Sequence, residues 1–325
     1  MKILPSLSLA VLCFVVELIG PSGCEKPRDG AQDAGAPASH GAPAARILGV
    51  SVQTMTNPFF VDLTDGLREV VEKNGDRLMV LDAQFDSLRQ KNDVSDLILR
   101  GAAAIFLNPV NWEGIRGSLV QARDKGIPVI VVDAPVRDED LVLCTVASDN
   151  LEAGRLAARA LSAAASPARI GVLSYSINKA CIDRVAGFKE ELAKHPNCRI
   201  EAELELESGT SEKARPVLRD MIGRHPDLNA IFAINDPAAI GAISALESSS
   251  KLAGVKVAAV DGADEAVRAI LDGKMLSSSA QFPREIGKAS AEAAYEHFAG
   301  KSVRKNIQVR VELITKDNAA AFAKK

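Results

Sequence analysis

From Arg46 onward, short apolar runs alternate with longer stretches in which apolar residues return every three or four positions. The runs at 46–52, 77–81, 103–107, 127–132, 141–146, 169–173, 229–234 and 255–260 are nearly unbroken and of strand length. Such runs suit parallel strands covered on both faces. Runs 199–206 and 307–314 alternate apolar with polar residues, which predicts edge or crossing strands. Helical periodicity spans about 58–74, 87–100, 112–125, 149–165, 180–194, 211–224, 237–249, 263–273 and 283–299. In the first of these, Phe59, Leu63, Leu67, Val70 and Val71 share one face. Asn57-Pro58 and Asp236-Pro237 predict a capping side chain just before a proline at the first helical position. Asn74-Gly75, Lys125-Gly126 and Asp272-Gly273 predict helix ends. The rhythm predicts an α/β protein with doubly wound parallel sheets and right-handed crossovers. A helix, a His-Pro pair and a strand occur in that order twice, at His195-Pro196 and His225-Pro226, which suggests two similar lobes.

Polar residues recur where the apolar runs stop. Gln53, Asn108 and Asp133 follow runs in the first half, with Asn57 opening the first helix; Asn235, Asp261 and Gln281 hold the matching places in the second half. Ligands of open parallel sheets bind outside the carboxyl ends of the strands. Six such residues drawn from both halves predict a cleft lined from two sides. Amides and carboxylates offer paired acceptors and donors, and Arg184, on a helical stretch, adds a fork of donors. That set suits a small ligand with many vicinal hydroxyls and suits a phosphate poorly. Phe59 and Phe60 are candidates for the flat apolar face that a sugar ring needs.

The first residues form a separate unit. Lys2 is followed by an apolar stretch to Ile19 and then by Gly20-Pro21-Ser22-Gly23-Cys24. This predicts a secretory signal peptide over 1–23. Small residues directly before Cys24 resemble a bacterial lipobox, which implies a lipidated cysteine and a lipid anchor to the membrane, with Pro21 departing from the usual pattern. Residues 25–45 are Gly, Ala, Pro and polar residues without an apolar period, the composition of a flexible tether.

Composition narrows the function. The chain carries 39 Lys and Arg against 42 Asp and Glu, so the basic surplus of a nucleic-acid binder is missing. Aromatic residues are 4% of the 325, and the core is therefore expected to be aliphatic. Neither G-x-x-x-x-G-K-[ST] nor a G-x-G-x-x-G after a strand occurs, and Ser174 lacks the G-x-S-x-G elbow. The four histidines show no metal-ligand spacing. Cys144 reads as strand core, and Cys181 and Cys198 bracket a helix that would hold them too far apart for a disulfide. Asp133 with Asp261 as a glycosidase pair is the enzymatic alternative. The residues favour a binder without cofactor or metal.

Asn57-Pro58-Phe59-Phe60, Asn108-Pro109, Ala147-Ser148-Asp149-Asn150, His225-Pro226-Asp227, Asn235-Asp236, Val260-Asp261-Gly262 and Ala280-Gln281 stand in an order that resembles bacterial periplasmic sugar-binding proteins of the ribose-binding type, over about residues 46–314. The resemblance implies the type I periplasmic binding protein fold, two lobes joined by three crossovers, with lobe one at 46–148 plus 282–308 and lobe two at 149–281 plus 309–325. It implies a periplasmic monomer that takes a monosaccharide or polyol between closing lobes and hands it to an ABC transporter permease. A chemoreceptor or sensor kinase as the partner, or a non-sugar polar metabolite as the ligand, are the alternatives. Ligand contacts carry over to Asn57, Phe59, Phe60, Asn108, Asp133, Ser148, Arg184, Asn235, Asp261 and Gln281. Gln53 stands where the ribose type has a small hydroxyl residue. Ala134 replaces an arginine, and Gly209 and Val260 replace phenylalanines, so the second lobe's side of the pocket is expected to be reshaped. Tyr175 is a candidate replacement face, and Trp112 a candidate at the cleft mouth.

Overall fold

The computed structural model describes residues 45–323. The expectations for the signal peptide, Cys24 and nearly all of the tether fall outside the described residues.

Among the described residues, two six-stranded sheets form the frame. The chain runs β1 (Ile47–Val52), α1 (Pro58–Lys73), β2 (Arg77–Asp82), α2 (Ser87–Leu99), β3 (Ala104–Leu107), α3 (Arg116–Asp124), β4 (Val129–Val132) and β5 (Cys144–Ser148). It continues through α4 (Asn150–Ala164), β6 (Ala168–Ser174), α5 (Lys179–Leu192), β7 (Cys198–Glu205), α6 (Ser211–Arg224), β8 (Ala230–Ala233), α7 (Asp236–Ser248), β9 (Lys256–Asp261), α8 (Asp264–Leu271) and β10 (Ser277–Ala280). It closes with α9 (Pro283–Phe298), β11 (Asn306–Val309) and β12 (Glu312–Thr315). Sheet one has the order β11-β5-β4-β3-β1-β2 and sheet two the order β12-β10-β9-β8-β6-β7. All described pairings are parallel except β10 with β12. The chain passes between the sheets three times, after β5, after β10 and between β11 and β12.

Strand periodicity builds the cores. Leu48, Val50, Val52, Ala104, Phe106, Ile130 and Val132 face one side of sheet one and pack with apolar residues of α1 and α9. Ile105, Leu107, Val129 and Val131 face the other side, with Val94 and Leu97 of α2 and Leu119 and Ala122 of α3. Adjacent residues point to opposite faces, so a nearly unbroken apolar run suits a doubly covered strand. In sheet two, α4 and α5 pack together, as do α6 and α7, around a core rich in alanine and valine with Phe188 and Phe232 stacked at 4.3 Å.

Four local expectations are corrected. No apolar run marks β10, whose sequence is Ser-Ser-Ser-Ala, yet all four residues are buried. The run at 141–146 begins too early, because 139–141 is a short 3-10 turn and the strand is Cys144–Ser148. The helix expected from 112 starts at Arg116. The single run 307–314 is split into β11 and β12, one in each sheet. A capping detail moves by one residue: Asn235, not Asp236, caps α7 by accepting from the Ala238 amide, and Asp236 is already helical. Asn57 caps α1 as expected, accepting from the Phe59 amide at 3.0 Å.

Candidate functional site

Both sheets turn the carboxyl ends of their central strands toward one cavity of about 280 Å³. Its wall includes Gln53, Asn57, Phe59, Phe60, Asp133, Tyr175, Arg184, Asn235, Asp261 and Gln281. Asn108 and Ser148 are buried and are not part of the wall. Trp112 also stands off it, but its backbone amide donates to the Ile177 carbonyl at 3.2 Å, a contact between the β3–α3 segment and the β6–α5 segment.

Asn108 lies behind the wall because its side chain is occupied. Its Nδ2 donates to the Val132 carbonyl at 3.1 Å and to Asp133 Oδ2 at 3.0 Å, and its Oδ1 accepts from the Gln53 amide at 3.3 Å. The residue therefore positions Asp133 and the end of β1. Gln90 on α2 holds the same loop, donating to the Asn108 carbonyl at 2.8 Å and accepting from the Val110 amide at 2.7 Å. Gln53 Nε2 donates to the Pro109 carbonyl at 2.9 Å. Asp133 has φ 67°, the left-handed region that Asp and Asn tolerate better than other side chains do.

On the other side, Arg184 projects from α5. Its Nε donates to Asn150 Oδ1 at 2.9 Å, its Nη1 donates to the Ile234 carbonyl at 2.8 Å, and Nη1 stands 3.5 Å from Asp261 Oδ1. Helices α4 and α5 approach closely enough to make this possible. A Cβ at Gly154 would lie 1.9 Å from the Arg184 carbonyl oxygen, and one at Gly187 would lie 2.0 Å from that of Leu151. Gln281 Nε2 donates to Asp261 Oδ1 at 2.8 Å. Asp261 has φ 137°. Beneath it, Asp236 accepts from the Ala263 amide at 2.7 Å and from Ser278 Oγ at 2.7 Å, so the Ser278 hydroxyl of β10, which also accepts from the Gly262 amide at 3.0 Å, anchors the turn that carries Asp261.

Burial sets the electrostatics. It pushes the Asp133 carboxyl up to about 6, with Arg184 opposing and Asp261 adding to the rise. It likewise pushes Asp261 up to about 6, with Arg184 and the Gln281 hydrogen bond opposing. Asp133 Oδ1 and Gln281 Oε1 are buried with no hydrogen-bond partner among the described residues. Buried acceptors of this kind are costly unless something donates to them.

Several wall residues escape a reading of strand ends. Phe85 follows β2 with φ 58°, and its amide donates to the Gln53 carbonyl at 2.7 Å. Asn178 caps α5, Thr210 caps α6, and Glu265 stands exposed on α8. Caps at helix starts beside strand ends were a usable signal for Asn178 and Thr210. Phe85 lies in a turn that hydropathy does not mark. Phe59 and Phe60 meet edge to face at 5.2 Å. Among the described residues, no group of His, Cys, Asp and Glu is placed to hold a metal ion, and Cys144, Cys181 and Cys198 are free.

Comparison with known proteins agrees with this architecture. Residues 48–302 match the family described as "Periplasmic binding protein domain". The ribose import binding protein RbsB of Bacillus subtilis is 33% identical over 275 residues, covering 82% of this chain and 87% of the relative. A solved ABC transporter solute binding protein from Mycobacterium smegmatis with bound glycerol is 32% identical, with a TM-score of 0.79, covering 86% of this chain and 98% of that one. The myo-inositol binding protein of Caulobacter, solved with myo-inositol, is 26% identical with a TM-score of 0.78, covering 85% of this chain and 95% of that one. With two doubly wound sheets, three passages between them and a polar cavity at their strand ends, this chain belongs to the periplasmic binding protein family.

Proposed function

We propose that this protein is an extracytoplasmic solute-binding protein that takes a small polyhydroxylated ligand, a monosaccharide or polyol, between two lobes and delivers it to an ABC transporter permease. The lobes are 46–148 plus 282–308 and 149–281 plus 309–325. The observation that carries the reading is the wall of the cavity. Carboxylates, amides and one guanidinium from both sheets converge on it beside phenylalanine rings, and two of its buried acceptors lack donors. Vicinal hydroxyls supply such donors in closely spaced sets, and a ring's C–H face suits Phe59, Phe60 and Phe85. Relatives named for ribose import and neighbours holding glycerol or myo-inositol support the same ligand class. The residues act by binding, not by catalysis.

The ligand-contacting residues in this reading are Gln53, Asn57, Phe59, Phe60, Asp133, Tyr175, Arg184, Asn235, Asp261 and Gln281, with Asn108 behind Asp133. Closure brings the two sides onto the ligand, because only the closed form contacts it from both lobes. Location follows as part of the proposal: export by residues 1–23, a lipid on Cys24 and a leash over 25–45 would hold the lobes at a membrane in the periplasm. A thermal-shift screen of the purified protein against monosaccharides and polyols tests the ligand class. A ligand that binds only the folded form raises the melting temperature, by an amount that grows with concentration. No rise with any such compound at millimolar concentration would overturn the reading.

A further inference from the structure

The charges on the cavity wall do not balance. Among the described residues that line it, Asp133, Asp261 and Glu265 face one cation, Arg184. That guanidinium already donates to Asn150 and to the Ile234 carbonyl, and it is shared with Asp261 at 3.5 Å. Asp133 has its Oδ2 on Asn108, while its Oδ1 is buried without a donor. Gln281 spends its amide nitrogen on Asp261 and leaves its Oε1 without a donor. Asp133 and Gln281 are each only 5% exposed and both line the cavity. The cleft thus presents orphaned acceptors together with surplus negative charge. Ala134, beside Asp133, adds no compensating cation.

We propose that the cleft prefers a polyhydroxylated ligand that carries a cationic amino group, an amino sugar or amino cyclitol, over its neutral parent. The proposal rests on the polyol-binding reading and narrows its ligand class. Hydroxyls alone would satisfy the orphaned acceptors but leave the charge in place. An ammonium does both, with three donors and a positive charge between Asp133 and Asp261. The raised carboxyl groups of Asp133 and Asp261 point the same way, since each is held near neutral pH by burial that one arginine fails to offset. The phenylalanine faces on the wall tolerate a cation as well as a sugar face.

Calorimetric titration with matched sets decides the matter: D-glucosamine, D-glucose and D-glucuronate; D-galactosamine, D-galactose and D-galacturonate; an amino-deoxy-inositol and myo-inositol. At pH 7.5 the amine of at least one set should bind tenfold or more tighter than its neutral parent, and the uronate should bind weakest. Asp133→Asn should shrink the amine-to-neutral ratio at least severalfold while the neutral compound still binds. If a neutral parent equals or beats its amine in every set that binds, or a uronate binds best, the charge argument is wrong and the polyol reading stands. If no member of any set binds while a neutral monosaccharide or polyol from the thermal-shift screen does, this proposal falls and the polyol reading stands; if nothing binds in either experiment, both fall.

Discussion

Replacing Asp133 by Asn should stabilise the ligand-free protein and at the same time damage binding. The buried carboxyl titrates at about 6 in the folded protein against an ordinary value of 3.8. Its native state therefore holds the proton more tightly than the unfolded chain does, and the carboxyl's contribution to stability falls as pH rises from about 4 to about 6. The difference corresponds to about 3 kcal/mol of instability at pH 7.5. Asn removes the charge, keeps an oxygen for Asn108 Nδ2, and tolerates the φ of 67° at this position. The ligand-free variant should then melt higher at pH 7.5, by about 3–10 °C for a gain of up to about 3 kcal/mol in a protein of this size. The gain should fall to about half in free energy at pH 5 and to about a fifth at pH 4. Scanning calorimetry of extensively dialysed wild type and variant at the three pH values measures it, and titration with a ligand from the screen should show binding weakened about tenfold or more. A variant that melts lower at pH 7.5, or a gain that ignores pH, would refute the assignment of Asp133 as a carboxylate held in an unfavourable place for the ligand's sake.

Further outcomes follow from the same geometry. Gly154→Ala would drive a methyl into the Arg184 carbonyl, so it should cost about 1–3 kcal/mol by overpacking and weaken binding by displacing α5; melting curves and titration read both. Phe85→Ala should weaken ligand binding severalfold in titration while changing the melting temperature little, because the ring is only partly buried on the cavity wall. Cys24→Ser should move the protein from the membrane fraction to the soluble fraction of a bacterial host, since a lipid anchor of two or more chains holds firmly; equal membrane retention would count against lipidation.

Much of the architecture was legible because its physics is local. A strand covered on both faces is apolar nearly throughout as a rule, and β3, β4 and β8 show this without ambiguity. The edge position of β7 shows in its alternation. Strand β10 was invisible for the opposite reason. Its serines are buried through hydrogen bonds to distant groups, Ser278 to Asp236 and Ser279 to the Ala153 carbonyl, and hydropathy cannot register a partner 126 residues away in sequence. The site divides in the same way. Asp133 and Asp261 were readable as polar residues that stop apolar runs, and Gln281 through the Ala280-Gln281 motif. Asn108 satisfies the same description, yet its amide is consumed by Gln53, Val132 and Asp133, and only three-dimensional register tells a wall residue from the brace behind it. Phe85 reaches the wall from a turn with left-handed backbone, a conformation its sequence does not announce.

Closure of the cleft on a polyol can be observed through Trp112, the chain's only tryptophan, whose amide bonds to Ile177 across the cleft at 3.2 Å. Titrating the ligand found by the screen while following tryptophan emission, in wild type and in Arg184→Ala, tests the central claim directly. The account predicts a saturable change in wild type, and a midpoint moved at least tenfold higher in the variant, because Arg184's charge-assisted hydrogen bonds contribute about 1.5–3 kcal/mol each. A ligand that binds both proteins with the same midpoint would place its site outside the cleft and contradict the account.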